Sequence, residues 1–276
     1  MITYPQMNPD LVKFELFGFP LQIRWYGLLY VISFVLGFVL YRYNLRYKNI
    51  KLTKEQYEGL FFSMMLGVVL GGRLGYVLFY NILYYLQHPA QIFAIWTGGM
   101  SFHGGALGVI ILGALYLKKH KLNFWKLADP MMPLVAIGLG LGRLGNFING
   151  ELYGRVTNVP WAMIFPESDG QPRHPTQLYE LFLEGIVLAI ICQIVYRKTK
   201  TEGTGFWAFI GCYGIFRLFI EFFREPDKGI TAYQNDIPYL GFITVGMLLS
   251  FLMTVTAAVG LYYLHRQKKS DNRSKL

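Results

Sequence analysis

Apolar residues along the chain gather in runs long enough to cross a bilayer, for which a helix needs roughly 17–25 residues. Seven such runs stand at 20–41, 59–80, 92–117, 131–148, 178–196, 206–223 and 239–264. The third is interrupted by Thr97, Gly98 and Gly99 and by His103-Gly104-Gly105, which leaves its first part open to a re-entrant or interfacial reading. Connections are short except for 149–177 and 224–238, and no internal repeat is evident. The pattern predicts an all-α, polytopic membrane protein: one integral membrane domain over 1–276, a bundle of seven transmembrane helices with a small head formed by the 149–177 connection.

Composition sharpens this. Hydrophobic residues make up 54% of the 276 residues and charged residues 15%, against about 45–50% and about 25% in a soluble domain. Such a chain lacks the polar surface to cover a soluble core, and it is too apolar to remain disordered. The net charge of +10 would suggest nucleic acid as a partner for a soluble protein. In a membrane protein it is a topology signal instead. Seventeen of the 26 lysines and arginines fall in 42–58, 118–130, 197–205 and the C-terminal tail. The opposite side holds Lys13, Arg155, Arg173, Arg224 and Lys228. The excess places the C-terminus in the cytoplasm and the N-terminus outside. Residues 1–14 lack the basic, apolar and small-residue succession of a cleavable signal, so the first apolar helix is expected to insert the chain. Cys192 and Cys212 both lie inside apolar runs, which argues against a disulfide framework, a metal motif or a covalent carrier.

Four arginines remain within the spans: Arg24, Arg73, Arg143 and Arg217. With the orientation above, they and Glu180, Glu184 and Glu221 fall within roughly 10 Å of the outer boundary at 1.5 Å of rise per residue. Intramembrane charges are costly and mark function or pairing. The arrangement predicts a polar chamber open to the outer leaflet. A guanidinium is a permanently charged planar fork that suits phosphate, and the phosphates at that depth belong to lipid headgroups. The alternative is that each arginine is neutralised by a glutamate and ties helices together. For Arg24 and Arg73 the two readings stand level; for Arg143 and Arg217 the motifs around them favour phosphate.

Three stretches carry those motifs. In the run from Gly142 to Gly154, GRLGNFINGELYG, Arg143 and Asn146 share a helix face, and Asn149, Glu151 and Gly154 sit where the span gives way to a loop. In YGIFRLFIEFFREPD, Tyr213, Arg217 and Glu221 recur every four residues as a polar stripe on an aromatic helix, ended by Pro226. In SFHGG, His103 is the histidine placed to reach the chamber. A lone histidine is more often a packed residue than a catalyst, but its glycine neighbours and depth bring the two readings closer to even.

These stretches resemble the bacterial prolipoprotein diacylglyceryl transferases. GRLGNFINGELYG matches that family's signature, G-R-x-G-N-F-x-N-x-E-x-x-G, at all eight fixed positions. RWYG at 24–27, GGRLGYVLFY at 71–80, WTGGMSFHGG at 96–105 and HPTQLYE at 174–180 extend the likeness, with Thr176 where serine is common. The resemblance implies an enzyme of the inner membrane without metal or cofactor. Its substrates would be phosphatidylglycerol and a preprolipoprotein whose signal peptide presents a lipobox cysteine. The diacylglyceryl group would pass to that thiol, giving a thioether and glycerol 1-phosphate. It also implies essential positions at His103, Arg143, Asn146, Glu151, Gly154, Tyr213, Arg217 and Glu221, with Tyr26 involved. Arg143 and Arg217 would hold the phosphate, Asn146 and Tyr213 would orient headgroup oxygens, and Glu151 and Glu221 would fix the arginines or headgroup hydroxyls. A thiol must lose its proton to attack, and His103 is the candidate base. The arginines could instead lower the thiol pKa without one. Two rivals are weaker. A transporter or flippase predicts polar groups through the midplane and an inverted repeat, and a rhomboid-like protease predicts a Gly-x-Ser-x-Gly nucleophile; the chain has none of these.

Overall fold

The computed structural model describes residues 2–5, 7–16, 19–80, 82–95, 98–166, 168–225 and 244–273. The elements are β1 (Ile2–Thr3), β2 (Asp10–Leu16), β3 (Phe19–Arg24), α1 (Trp25–Tyr47), α2 (Lys54–Tyr80), α3 (Ile82–Gln87), α4 (Phe102–Lys119) and α5 (Phe124–Ala128). They continue with α6 (Met132–Asn149), β4 (Met163–Ile164), α7 (Thr176–Lys198), α8 (Thr204–Glu221) and α9 (Val245–Arg273). Among the described residues, five helical stretches are long and apolar enough to cross a membrane: Trp25–Tyr47, Lys54–Phe79, Phe124–Asn149, Thr176–Lys198 and Gly246–Arg266. The sixth expected run overlaps α8 and the later part of the third overlaps α4; each helix is 18 residues long and neither is among those five, so seven spans are not confirmed. The expected start of the last run, at 239, lies outside the described residues.

The first run was expected to begin at 20, but its opening residues are strand. Phe19–Arg24 pairs antiparallel with Asp10–Leu16, and Arg24 Nε meets Asp10 Oδ1 at 3.4 Å across the hairpin. The helix starts at Trp25. The third run was expected to begin at 92; α4 begins at Phe102, after a short 3-10 turn at Pro89–Phe93.

Contacts group the described residues into two units, one within 1–44, 128–228 and 236–276, the other within 45–127. In the first, α6, α7 and α8 pack around Met132, Ala136, Leu188, Cys192 and Phe209. Asp129 organises the start of α8: its carboxylate accepts from the backbone N–H of Gly203 at 2.8 Å and of Phe206 at 2.9 Å, satisfying orphan donors of the first turn. Asn44 and Gln193 exchange amide hydrogen bonds, and Tyr196 Oη donates to the Asn44 carbonyl at 2.7 Å. The described part of the 149–177 connection carries a small core of its own. β1 pairs parallel with β4, and Tyr4, Phe147, Met163 and Phe165 form a small core in which Tyr4 Oη donates to the Phe147 carbonyl at 2.5 Å. Burial raises the Tyr4 pKa, and the Asp169 carboxyl sits below its ordinary range because Arg173 donates to it. Large apolar side chains remain exposed at Val31, Val35 and Val39 along α1 and at Leu248, Leu252, Val255 and Val259 along α9. The i, i+4 stripe on α1 lies on one helix face, as a lipid-facing helix requires.

In the second unit α2 and α4 meet backbone to backbone. A Cβ on Gly67 would stand 2.6 Å from the Gly108 carbonyl oxygen, and one on Gly75 would stand 2.7 Å from Gly104 Cα. Small residues four apart allow this approach, where close packing rather than hydrophobicity holds helices together. Arg73 leaves α2 for four carbonyls: Nε donates to Ile92 at 2.9 Å, Nη2 to Gln91 at 2.6 Å, and Nη1 to Gly98 at 2.5 Å and Gly99 at 3.2 Å. Of the two readings left level for Arg73, phosphate and a glutamate partner, the structure shows neither: the side chain gathers the carbonyls of residues 91, 92, 98 and 99. Ser101 then caps α4, its Oγ accepting from Gly104 N at 3.2 Å.

The glycine contact gives a direct expectation. Gly104→Val places two methyl groups against the backbone of α2 and should lower stability by about 1–3 kcal/mol, the usual cost of overpacking. A thermal melt in detergent compared with Gly113→Val, where a Cβ meets only Met64 Cγ at 3.8 Å, reads the difference.

Candidate active site

The end of α6 builds the first part of the site. Gly150 takes the left-handed conformation, with φ of 70°, and its N–H donates to the Phe147 carbonyl at 3.0 Å while Glu151 N–H donates to the Asn146 carbonyl at 3.1 Å. This is the paired closure of a Schellman cap, which needs a residue free to adopt positive φ at Gly150. The cap turns the chain so that Glu151 faces back onto the helix that precedes it. Its Oε1 accepts from Asn146 Nδ2 at 2.8 Å and from Asn149 Nδ2 at 3.0 Å. Gln177, fully buried, donates to the Glu151 carbonyl at 2.6 Å and so ties this turn to the start of α7. The ring of Tyr26, from the first turn of α1, lies over Gly145.

Gly154 lets three segments converge. Its N–H donates to the His174 carbonyl at 2.8 Å, Arg155 N–H donates to the Phe223 carbonyl at 2.9 Å, and a Cβ at Gly154 would stand 2.6 Å from Thr176 Cγ2. Arg155 Nε also donates to the Arg224 carbonyl at 2.7 Å. The residues just after α8 are thus laced to the loop after α6. His174 packs on Tyr179 and Phe223, its Nδ1 3.1 Å from Tyr179 Oη, and burial lowers its pKa.

At the centre stands Glu180, with no exposed surface. Arg143 Nε lies 3.3 Å from its Oε2, Arg224 Nη1 lies 3.0 Å from its Oε1, and Arg217 Nη1 makes a shorter contact with the same Oε1. Arg217 also faces Glu184 at 3.7 Å and Glu221 at 3.5 Å, and Arg224 Nε faces Glu221 at 3.6 Å. Thr244 Oγ1 donates to Glu221 Oε1 at 3.0 Å. Three guanidiniums and three carboxylates therefore share one buried cluster. Within it the nearest approach of Arg143 to Glu180 is through Nε, and its two terminal nitrogens make no hydrogen bond to a described residue. The Arg143 and Arg217 side chains keep 20% and 16% exposure, whereas Arg224 keeps 6%. Tyr213, one turn before Arg217, stacks on Phe209 with centroids 6.0 Å apart and lies in the field of Glu184, Arg217, Arg143 and Glu180.

Of the expected residues, Arg143, Tyr213, Arg217 and Glu221 come together around Glu180, and Asn146 and Glu151 meet each other at the end of α6. Gly154 positions the connecting backbone. His103 lies in the first turn of α4, in the other unit, and its side chain falls outside the described residues. Three members of the cluster were not assigned a role from sequence. Glu180 and Glu184 were visible as an i, i+4 acidic pair at the start of an apolar run. Arg224 was counted with the loops, although it follows Arg217 by seven residues and so shares its helical face.

Residues 12–263 match the family model described as prolipoprotein diacylglyceryl transferase. Among curated relatives, the phosphatidylglycerol--prolipoprotein diacylglyceryl transferase of Geobacter sulfurreducens is 49% identical over 269 residues, covering 97% of this chain and 99% of the relative. Proteins of the same name from Nitrosomonas europaea and Photobacterium profundum are 48% and 45% identical, each over 96% of this chain and over 93% and 96% of their own lengths. With its multi-pass helices, its signature motif and full-length likeness to these enzymes, the chain belongs to the prolipoprotein diacylglyceryl transferase family.

Proposed function

We propose that Arg143 and Arg217 form the phosphate clamp of a diacylglyceryl transfer, held in place by Glu180. The chain is a transferase that moves the diacylglyceryl group of phosphatidylglycerol to a prolipoprotein, the first step of lipoprotein maturation. In our reading the acceptor is the thiol of a lipobox cysteine. Its sulfur attacks the primary carbon of the diacylglyceryl group that is bonded to phosphate oxygen. The carbon–oxygen bond breaks with its electron pair on that oxygen, glycerol 1-phosphate leaves, and a thioether remains. The thiol proton goes to a base, for which His103 is the candidate.

One observation carries the clamp: the terminal nitrogens of Arg143 make no hydrogen bond to a described residue, while its Nε lies 3.3 Å from the buried Glu180 carboxylate. A fork held at its base and open at its tip is preorganised for two phosphate oxygens. Arg217, braced by Glu180, Glu184 and Glu221, supports charge on the leaving group. Asn146 and Tyr213 orient headgroup oxygens, Glu151 fixes the Asn146 and Asn149 amides, and Tyr26 and Gly154 shape the surrounding wall. We place the chain in the bacterial inner membrane with seven spans, the N-terminus and the site toward the outer leaflet and the C-terminus in the cytoplasm. Lateral entry between spans suits both substrates, since both are embedded in the bilayer, and the 149–177 layer is the natural cover.

The test is to incubate the purified protein with phosphatidylglycerol and a lipobox peptide, reading the peptide's mass gain and the released glycerol phosphate. Absence of product with either enantiomer of the headgroup would overturn the transfer. Arg143→Lys keeps the charge but loses the fork; kcat/KM should drop about 10- to 100-fold, the loss of one charge-assisted hydrogen bond. Full activity in that variant counts against the clamp. His103→Gln should slow turnover at neutral pH, and near-normal turnover at raised pH removes the base assignment. Cys192 lies in the apolar core and Cys212 beside it; Ala at both positions should leave product formation intact.

A further inference from the structure

The three carboxylates of the cluster are not equivalent. Glu180 faces all three guanidiniums. Glu221 faces Arg217 and Arg224 and accepts from Thr244. Glu184 is as deeply buried as Glu180, at 1% exposure, yet neither of its oxygens receives a hydrogen bond from a described residue. Its ion-pair contact with Arg217, at 3.7 Å, is the longest in the cluster. It also stands within Leu181–Val187, where α7 winds as a π-helix, a form found mostly as short insertions at functional sites. The neighbouring Gly185 packs directly on α6, where a Cβ would stand 2.7 Å from Gly140 Cα. The backbone beside Glu184 is therefore fixed against α6. A buried carboxylate with so little support for its charge needs an explanation.

Charge conservation supplies one. Arg143, Arg217 and Arg224 balance Glu180, Glu184 and Glu221, so the cluster as found is neutral. A phosphodiester adds one negative charge to a poorly hydrated place, where an uncompensated ion is costly. The least costly remedy is a proton on the carboxylate with the fewest donors. The charged and titratable groups around Glu184 are Glu180 from its own helix, Arg143 from α6, Tyr213 and Arg217 from α8, and Arg224 just beyond it, with Glu221 reached through Arg217. Of the acids among them, Glu180 and Glu221 are each better supplied with donors.

We propose that Glu184 takes up one proton when the phosphodiester headgroup binds and releases it when the site empties, keeping the buried cluster neutral. This rests on the arginine clamp. Glu184 acts through Arg217 as a positioning residue, and no bond to substrate is formed or broken by it.

The experiment measures phosphatidylglycerol binding without peptide, in phosphatidylcholine nanodiscs, across pH and in buffers of different ionisation enthalpy. Wild type should take up one proton per lipid bound, and its affinity should fall about tenfold per pH unit on the alkaline side, as one-proton linkage requires. Glu184→Gln mimics the protonated state; its affinity should be independent of pH with no proton uptake, and Glu184→Asp should restore the slope. No proton uptake by wild type, or an unchanged slope in Glu184→Gln, overturns the proposal. Should Glu184→Gln not fold, the wild-type proton count and the Glu184→Asp slope decide. Arg143→Lys separates the two readings: unchanged affinity there removes the clamp itself, whereas lost affinity with an unchanged Glu184→Gln slope removes only the proton-uptake role.

Discussion

Glu180 carries its charge with no exposed surface, and that single fact constrains the helices around it. A carboxylate removed from water is tolerated when cations and donors replace its hydration. Here the replacements come from three places: Arg143 on α6, Arg217 on α8 and Arg224 just past the end of α8. Each must arrive within about 3–4 Å, so the ends of α6 and α8 and the start of α7 are fixed relative to one another. The close approach of Gly140 and Gly185 and the convergence of backbone at Gly154 are what that arrangement requires of the chain. A buried ion cluster is weak evidence for stability, since apolar residues of similar volume often do as well. Removing one member is another matter, because about 3–5 kcal/mol follows from stranding its partners. The chain retains a costly arrangement that apolar packing could replace, and in the proposed clamp its use is to hold Arg143 and Arg217 for a phosphate.

The signature segment makes sense as one connected structure. Gly150 closes α6 with positive φ, and that closure returns the Glu151 carboxylate to the amides of Asn146 and Asn149. Arg143 stands one turn earlier on the same face as Asn146 and is anchored on Glu180 through Nε. Gln177, three residues before Glu180, holds the Glu151 carbonyl. The amide–carboxylate pair and the guanidinium cluster are therefore joined through both α6 and α7. A change in the cap would move Asn146 and Glu151 together, and would reach Arg143 through one turn of helix.

The helical runs were legible because a bilayer demands a minimum apolar length, and that demand survives any detail of packing. The hairpin before α1 was not read, although its signal is present: Val12, Phe14 and Leu16 alternate with Lys13 and Glu15, and Gly18 follows. The apolar residues from Phe19 merge with the helix that follows, and run length masked the period of two. Arg143 and Asn146 on one helix, and Tyr213, Arg217 and Glu221 on another, could be grouped by helical spacing. Glu180, which Arg143 and Arg217 share, could not, since no spacing within one helix reveals which carboxylate of another it will meet. Arg73 shows the same limit more sharply. Its partners are backbone carbonyls of residues 91, 92, 98 and 99, and a carbonyl has no letter in the sequence.

The net charge of +10 invites the idea that the site attracts phosphate by excess positive charge, and the cluster argues otherwise. Its three arginines are matched by three glutamates, so its contribution to the total is zero and the excess lies elsewhere in the chain. Attraction for an anion then comes from placement. Around Glu180 three guanidiniums crowd one carboxylate, while Glu184 stands beside Arg217 with little support. A neutral cluster with this internal asymmetry offers donors to a phosphate at one place and a weakly held negative charge at another. It can therefore bind an anion without accumulating charge inside a medium that penalises it, provided a proton answers at the second place.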